Sequence, residues 1–220
     1  MIALPVLLSV GMPPLNALAT NKFQSVFGTL SSALNYFRKG HIDLARLYPA
    51  LLCAAIGSAL GTLTVQHLSG AILEQLIPFL LIAIALYFGF SPRVADVDSK
   101  ERISAATFNW SVGGGIGFYG GFFGPGIGSF FAFAFSGLRG DNMRSATAHT
   151  KPLVLITNST SLVIFLLGGH VIWAAALVMA VAQIIGARIG SNLVITRGTA
   201  LVKPAIIIAT LAMALKLLLE

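Results

Sequence analysis

The sequence predicts an all-α integral membrane protein: a multi-pass helical bundle of two homologous repeats, inverted relative to each other, with a glycine-rich broken helical hairpin. Three observations predict it. Hydrophobic residues make up 56% of the 220 residues and charged ones 10%, and the apolar stretches approach the roughly 20 residues that a helix needs to cross a bilayer. Shifted by 129 positions without a gap, residues 11 to 86 fall on residues 140 to 215 with 17 identities, among them Lys22 with Lys151 and Gly40-His41 with Gly169-His170. Matches at Lys, Gly and His in an Ala- and Leu-rich chain mark a real duplication. Finally, one apolar stretch carries nine glycines from Gly113 to Gly128 and a proline at 125, a density that breaks a helix.

In chain order, helices are expected at about 15 to 37, 46 to 66, 71 to 90, 145 to 167, 171 to 195 and 200 to 219, with the broken segment at 104 to 137. The opening MIALPVLLSVGMPP lacks the basic start and small-residue cleavage site of a signal peptide. The polar stretch SPRVADVDSKER separates the halves. The domain division is therefore a first repeat over 1–90, a linker over 91–103 and a second repeat over 104–220 that includes the hairpin. Cys53, the lone cysteine, lies in an apolar segment, so no intrachain disulfide can form.

Charge sets the orientation. The first loop of repeat one carries Arg38, Lys39 and Arg46, whereas its counterpart at Gly168 to His170 carries no Lys or Arg. The next loop reverses this, with none at His67 to Gly70 and Arg188, Arg197 and Lys203 around its counterpart. Because Lys and Arg are retained on the cytoplasmic side, the halves are expected upside down to one another. That inversion requires segment 104–137 to cross an even number of times, as a hairpin bending near Gly120 to Pro125. Arg38, Lys39, Arg46, Arg93, Lys100, Arg102, Arg139, Arg144, Arg188, Arg197 and Lys203 then share one face. Whether the hairpin is re-entrant or makes two short full crossings is open to charge counting. The first copy of the hairpin falls mostly ahead of Met1, where only MIALPVLLSV matches Phe130 to Arg139; about 25 residues with a first glycine turn are expected to be missing. The formal charge of +7 is spread between apolar runs rather than gathered in a patch, which argues against nucleic acid.

Unwound backbone inside a membrane must be satisfied by protein, water or ligand. In the run Gly124, Pro125, Gly126, Gly128 and Ser129, glycines permit close approach, and the following helix offers unpaired N–H groups suited to an anion. Lys22 and Lys151 lie about six residues inside their helices at matched positions; lysines that deep must snorkel, pair or face a polar cavity. Thr20 and Asn21 accompany the first lysine, and His149, Thr150, Asn158 and Ser161 the second, as members of a polar cavity or as interhelical hydrogen bonds. His41 and His170 read as turn or capping residues, and the pairs Gly57-x3-Gly61 and Gly186-x3-Gly190 as packing seams. The sequence Asn158-Ser159-Thr160 matches a glycosylation pattern but sits in an apolar helix, which argues against modification.

The run from Pro5 to Asp43, with GMPPLNALATNKFQSVFGTLSS and the GHID turn, followed by GFYGGFFGPGIGSFF and AHTKPLVLITNSTSLVIFLLGGHVIW, resembles the sulfite exporter TauE/SafE family, also called the toluenesulfonate uptake permeases. The resemblance covers essentially the whole chain, and its signatures are the glycine-rich turns and the GH turns. It implies a multi-pass permease of the cytoplasmic membrane that moves sulfur-containing anions such as sulfite or organosulfonates. The family's first half opens with its own glycine turn, which this chain lacks.

The function expected is secondary transport of a small anion, with the glycine turn and Lys151 holding the charge. An anion channel and a non-transporting membrane subunit are the alternatives. Proton coupling through His149 is open, while membrane Asp and Glu residues are nearly absent. No Walker lysine loop, intramembrane protease spacing or HExxH motif occurs, and His41, His67, His149 and His170 are scattered. No enzyme activity, metal or cofactor is therefore expected. The expected partners are the lipid bilayer and a small anionic substrate, with a homo-oligomer left open.

Overall fold

A computed structural model describes residues 3–90 and 99–197. The helix expected at 200–219 and most of the polar linker lie outside the described residues. The described elements are α1 (Ala3–Ser9), α2 (Pro14–Arg38), α3 (Leu44–Gln66), α4 (Gly70–Phe90), α5 (Ala105–Thr107), a π-helical segment (Phe108–Gly114), α6 (Gly115–Phe122), α7 (Ile127–Arg139), α8 (Met143–Leu167) and α9 (Trp173–Arg197), with no strand among the described residues.

Local chemistry sets these ends. Pro14 opens α2 where its missing N–H costs nothing. Asp43 accepts from the Arg46 N–H at 3.2 Å to start α3, and Asn142 accepts from the Ser145 N–H at 3.0 Å to start α8. Helices α2 and α8 both stop at a glycine with φ 71°, Gly40 and Gly169. The following histidine N–H reaches back to Tyr36 O in one case and Phe165 O in the other, closing a Schellman turn. The two GH turns are thus helix stops, and each histidine ring meets an aromatic edge-on, Tyr36 or Phe165. Helices α2 and α8 each have 25 residues and begin and end 129 residues apart, and the starts of α3 and α9 keep the same offset.

Among the described residues, three helices are long and apolar enough to cross a membrane: Leu44–Gln66, Met143–Leu167 and Trp173–Leu193. Helix α2 is as long as α8 but is interrupted by Asn16, Thr20, Asn21, Lys22 and Gln24, and it does not qualify on composition. Lys22, Thr20, Gln24 and Asn35 are nevertheless buried. Helix α3 shows the same division of faces: Tyr48, Leu52, Ile56 and Leu60 form an exposed stripe, while Gly57, Ser58, Gly61 and Thr62 face inward. Large apolar groups outside and small or polar groups inside suit a lipid surround, where packing and interhelical hydrogen bonds replace the hydrophobic effect.

The small face of α3 receives the first arm of the hairpin. A Cβ on Gly57 or Gly61 would collide with the backbone of Gly114 or Phe118, and one on Gly117 or Gly121 with that of Ala54 or Ser58. Gly57-x3-Gly61 is therefore a packing seam. Gly186 and Gly190 have nothing within 4 Å among the described residues, so the matching seam on α9 is not formed there. The segment 104–137 turns at Phe123 to Gly126, overlapping the expected Gly120 to Pro125, but its first arm is not broken by its glycines. It runs on from α5 through the π-helical segment into α6. Helix α7 has 13 residues, about 20 Å of rise, against a hydrocarbon core of about 30 Å.

Candidate functional site

The hairpin turn reaches the middle of α8. Two left-handed glycines make it, Gly124 at φ 99° and Gly126 at φ 85°, and Gly126 sits at the N-cap of α7. An L side chain rarely adopts either conformation. The Tyr119 hydroxyl of α6 donates to Pro125 O across the turn. The Ile127 N–H returns to Gly124 O, and the Ser129 and Phe130 N–H groups to Gly126 O.

Lys22 of α2 is inserted against this turn. Its ammonium donates to Gly120 O and, at 3.4 Å, to Asn158 Oδ1 of α8. A Cβ on Gly124 would stand 2.6 Å from Lys22 Nζ, so the absence of a side chain there is what admits the lysine. Lys22 is 1% exposed, and among the described residues no carboxylate lies within ion-pair distance of it. Neighbouring hydroxyls are satisfied by protein: Ser58 donates to Thr157 O at 2.7 Å, and Thr62 Oγ1 lies 2.8 Å from Ser161 Oγ. The site is therefore a buried cation held by neutral oxygens at the N-terminal end of a helix, an arrangement that lacks one negative charge.

A second polar group forms where α7 meets α8. Asp141, 7% exposed, accepts from His149 Nδ1 at 2.7 Å and lies 3.4 Å from Arg46 Nη2 at the start of α3. Glu101 bridges Arg139 at 2.9 Å and Arg46 at 3.5 Å, and Arg139 also donates to Ile103 O. These groups line an open cavity of about 300 Å³ together with Ser99, Gly140 and Ser145.

The structure thus divides the residues singled out in the sequence. Gly124 and Asn158 meet Lys22 directly, and Pro125, Gly126, Gly128 and Ser129 belong to the turn and the first residues of α7. Thr150 bonds Ala146 O on its own helix, with its methyl 3.8 Å from where a Gly128 Cβ would lie. Thr20 instead accepts from the Ile172 N–H, and Asn16 donates to His170 O, so this part of α2 holds the turn before α9. Asn21 accepts from Gln24 on its own helix. His149 belongs to the charged cavity. Lys151 lies over the Tyr36 ring, 5.8 Å from its centre, and is half-buried. The lysine at the turn is Lys22, contributed by the half of the chain that does not contain the turn.

Sequence reasoning did not pick out Gly120 O, Tyr119, Arg46, Glu101, Arg139 or Asp141. In the sequence alone the arginines serve as topology signals. A carboxylate directly after a helix-ending Arg139-Gly140 pair, with a histidine eight positions on, was the available sign of the second group.

The family model described as sulfite exporter TauE/SafE matches residues 1–217. A probable membrane transporter protein of Sinorhizobium sp is 43% identical over 218 residues, covering 99% of this chain and 84% of its own. A probable membrane transporter protein of Haemophilus influenzae is 42% identical over 217 residues, 99% of this chain and 85% of its own. The probable membrane transporter protein YfcA of Escherichia coli strain K12 is 42% identical over 218 residues, 99% of this chain and 81% of its own. No solved structure matches this chain.

Proposed function

The chain belongs to the sulfite exporter TauE/SafE family, a family of membrane transporters, and on that premise we propose that it is a secondary carrier of small sulfur oxyanions, sulfite or organosulfonates, in the cytoplasmic membrane. One observation carries the substrate class: the Lys22 ammonium, buried against Gly120 O and Asn158 beside Gly124, has no carboxylate partner among the described residues. A buried charge is stable only when paired and hydrogen-bonded. An anion entering the turn would supply the missing charge and lie at the N-terminal end of α7, where the helix dipole favours negative charge. A tetrahedral or pyramidal sulfur oxyanion offers several acceptors to such a set at once.

The lysine fills the turn, so the anion must draw Lys22 off Gly120 O as it enters. We take the equal lengths of α2 and α8, the matched glycine turns and the offset of 129 as support for two repeats packed in opposite orientation. The hairpin then dips to mid-membrane and returns, because α7 is about 20 Å long. Rocking of α2 with its lysine against the hairpin would expose the turn alternately to the two sides.

The test is thermal unfolding of the purified protein in detergent with sulfite, thiosulfate, sulfate, methanesulfonate or chloride. A ligand of the native state at a hundredfold excess over its Kd stabilises by about 2.7 kcal/mol. Selective stabilisation by sulfite or methanesulfonate, lost in Lys22→Met, is expected. Equal effects of all five anions in both proteins would remove the turn as the site.

A further inference from the structure

We propose that the cavity between α3, α7 and α8 is a proton-binding site built on the Asp141–His149 pair, through which a proton enters with each anion. The proposal rests on the carrier reading given above and adds its coupling ion.

Among the described residues, the charges facing the cavity are two arginines, Arg46 from α3 and Arg139 from α7, and two carboxylates, Glu101 and Asp141. With neutral His149 these cancel, and the cavity has no net attraction for an anion. A proton on His149 leaves it with one positive charge. Lys100, Arg102 and Arg144 stand exposed around it and do not line it. From α7, Phe135 packs against the imidazole at 5.7 Å and adds no charge. His149 is therefore the group whose protonation changes the balance of charge in the cavity.

The hydrogen bonds supply a path. His149 Nδ1 is 2.7 Å from Asp141 Oδ2, so the neutral ring donates its Nδ1 proton to the carboxylate and presents Nε2 as the accepting atom. A proton taken up at Nε2 turns the contact into a full ion pair, and Asp141 then needs Arg46 less. The Arg46–Asp141 contact is the longer one, 3.4 Å, and Arg46 is 40% exposed. Its guanidinium then keeps the 3.5 Å contact to the exposed Glu101 and can turn its remaining N–H groups to an anion. Loss of the proton from Nε2 restores the starting balance.

Helix α7 connects this event to the anion turn. Its first residues follow the Gly124–Gly126 turn on which Lys22 rests, and its last residue, Arg139, lines the cavity. His149 and Asn158 are also joined through α8, nine residues or about 13 Å apart along one helix. A shift of α7 against α8 therefore alters both sites together.

The full chain, reconstituted in proteoliposomes with a luminal pH dye and the membrane potential clamped, tests this with methanesulfonate, which stays ionised throughout and carries no proton of its own. An inward methanesulfonate gradient should acidify the lumen, and uptake should rise severalfold from pH 8 to pH 6. In His149→Gln the pH dependence and the acidification should both vanish, and Asp141→Asn should reduce both. Methanesulfonate uptake with no luminal acidification in the unaltered protein would overturn the proposal and leave the carrier reading intact, as would an unchanged pH response in both variants. The absence of saturable uptake of any sulfur oxyanion would overturn both.

Discussion

The Lys22 turn and the Asp141 corner each contain a buried charge, and α8 contributes to both, yet they are built on opposite principles. Asp141 has its own side-chain partners, accepting from His149 at 2.7 Å and lying 3.4 Å from the Arg46 guanidinium. Lys22 is more deeply buried and meets only a backbone carbonyl and an amide oxygen. A paired charge holds elements together; a charge left to neutral dipoles is costly to stability and available to a ligand. The difference separates a corner that fastens α3 to the α7–α8 junction from a turn that waits for an anion.

Removing the charge at each place should therefore have opposite consequences. Asp141→Ala leaves the His149 Nδ1 proton without its acceptor and Arg46 with Glu101 alone, and breaking such a pair costs about 3 kcal/mol, the low end of the usual range because Arg46 is partly exposed and keeps Glu101. A clear fall in the unfolding temperature in detergent checks this; an unchanged one would mean that the corner is not a fastener. Lys22→Met removes an unpaired cation, so stability without ligand should hold or rise. Anion binding should weaken by about 30-fold, the value of one hydrogen bond of about 2 kcal/mol to a charged group. If Lys22→Met lowered stability as much as Asp141→Ala, the contrast between the two sites would collapse.

Smaller changes sharpen the contrast. Gly124→Ala forces a side chain into φ 99° at about 1 to 2 kcal/mol and pushes against Lys22 Nζ. Anion affinity and stability should fall together, measured by thermal shift with and without sulfite. Asn158→Ala leaves Lys22 on Gly120 O alone and should weaken sulfite binding by several-fold, with little effect on uptake pH dependence. A loss of pH dependence in Asn158→Ala would show that the turn and the cavity are one site.

Much of the fold is legible in the chain because each helix end carries its own chemistry. The helices expected at 15–37, 46–66, 71–90, 145–167 and 171–195 each begin and end within two residues of the observed ones, set by Pro14, Asp43, Asn142 and the glycines of the GH turns. The turn at Phe123 to Gly126 was legible from Gly124, Pro125 and Gly126. The continuous first arm was not, because its glycines act on a neighbour that periodicity does not name: Gly113, Gly117 and Gly121 are there for the backbone of α3. The placement of the two lysines was also beyond one-dimensional pattern. Lys22 and Lys151 are equivalent in register, and only the meeting of α2 with a hairpin about 100 residues later makes one of them a turn residue and leaves the other over Tyr36.

The least consequential member of the corner gives the finest test of how it is organised. Glu101 is 52% exposed and bridges Arg139 at 2.9 Å and Arg46 at 3.5 Å. Exposed pairs of this kind contribute up to about 1 kcal/mol and are screened by salt over roughly 8 Å at physiological ionic strength. Glu101→Gln should therefore lower stability by less than about 1 kcal/mol, and the deficit should shrink as sodium chloride is raised, whereas the loss in Asp141→Ala should persist because Asp141 is buried. Arg139 keeps its bond to Ile103 O in either case. A salt-resistant loss in Glu101→Gln equal to that of Asp141→Ala would mean that the four charges act as one indivisible unit, and Arg46 would then not be free to leave Asp141 when His149 takes a proton.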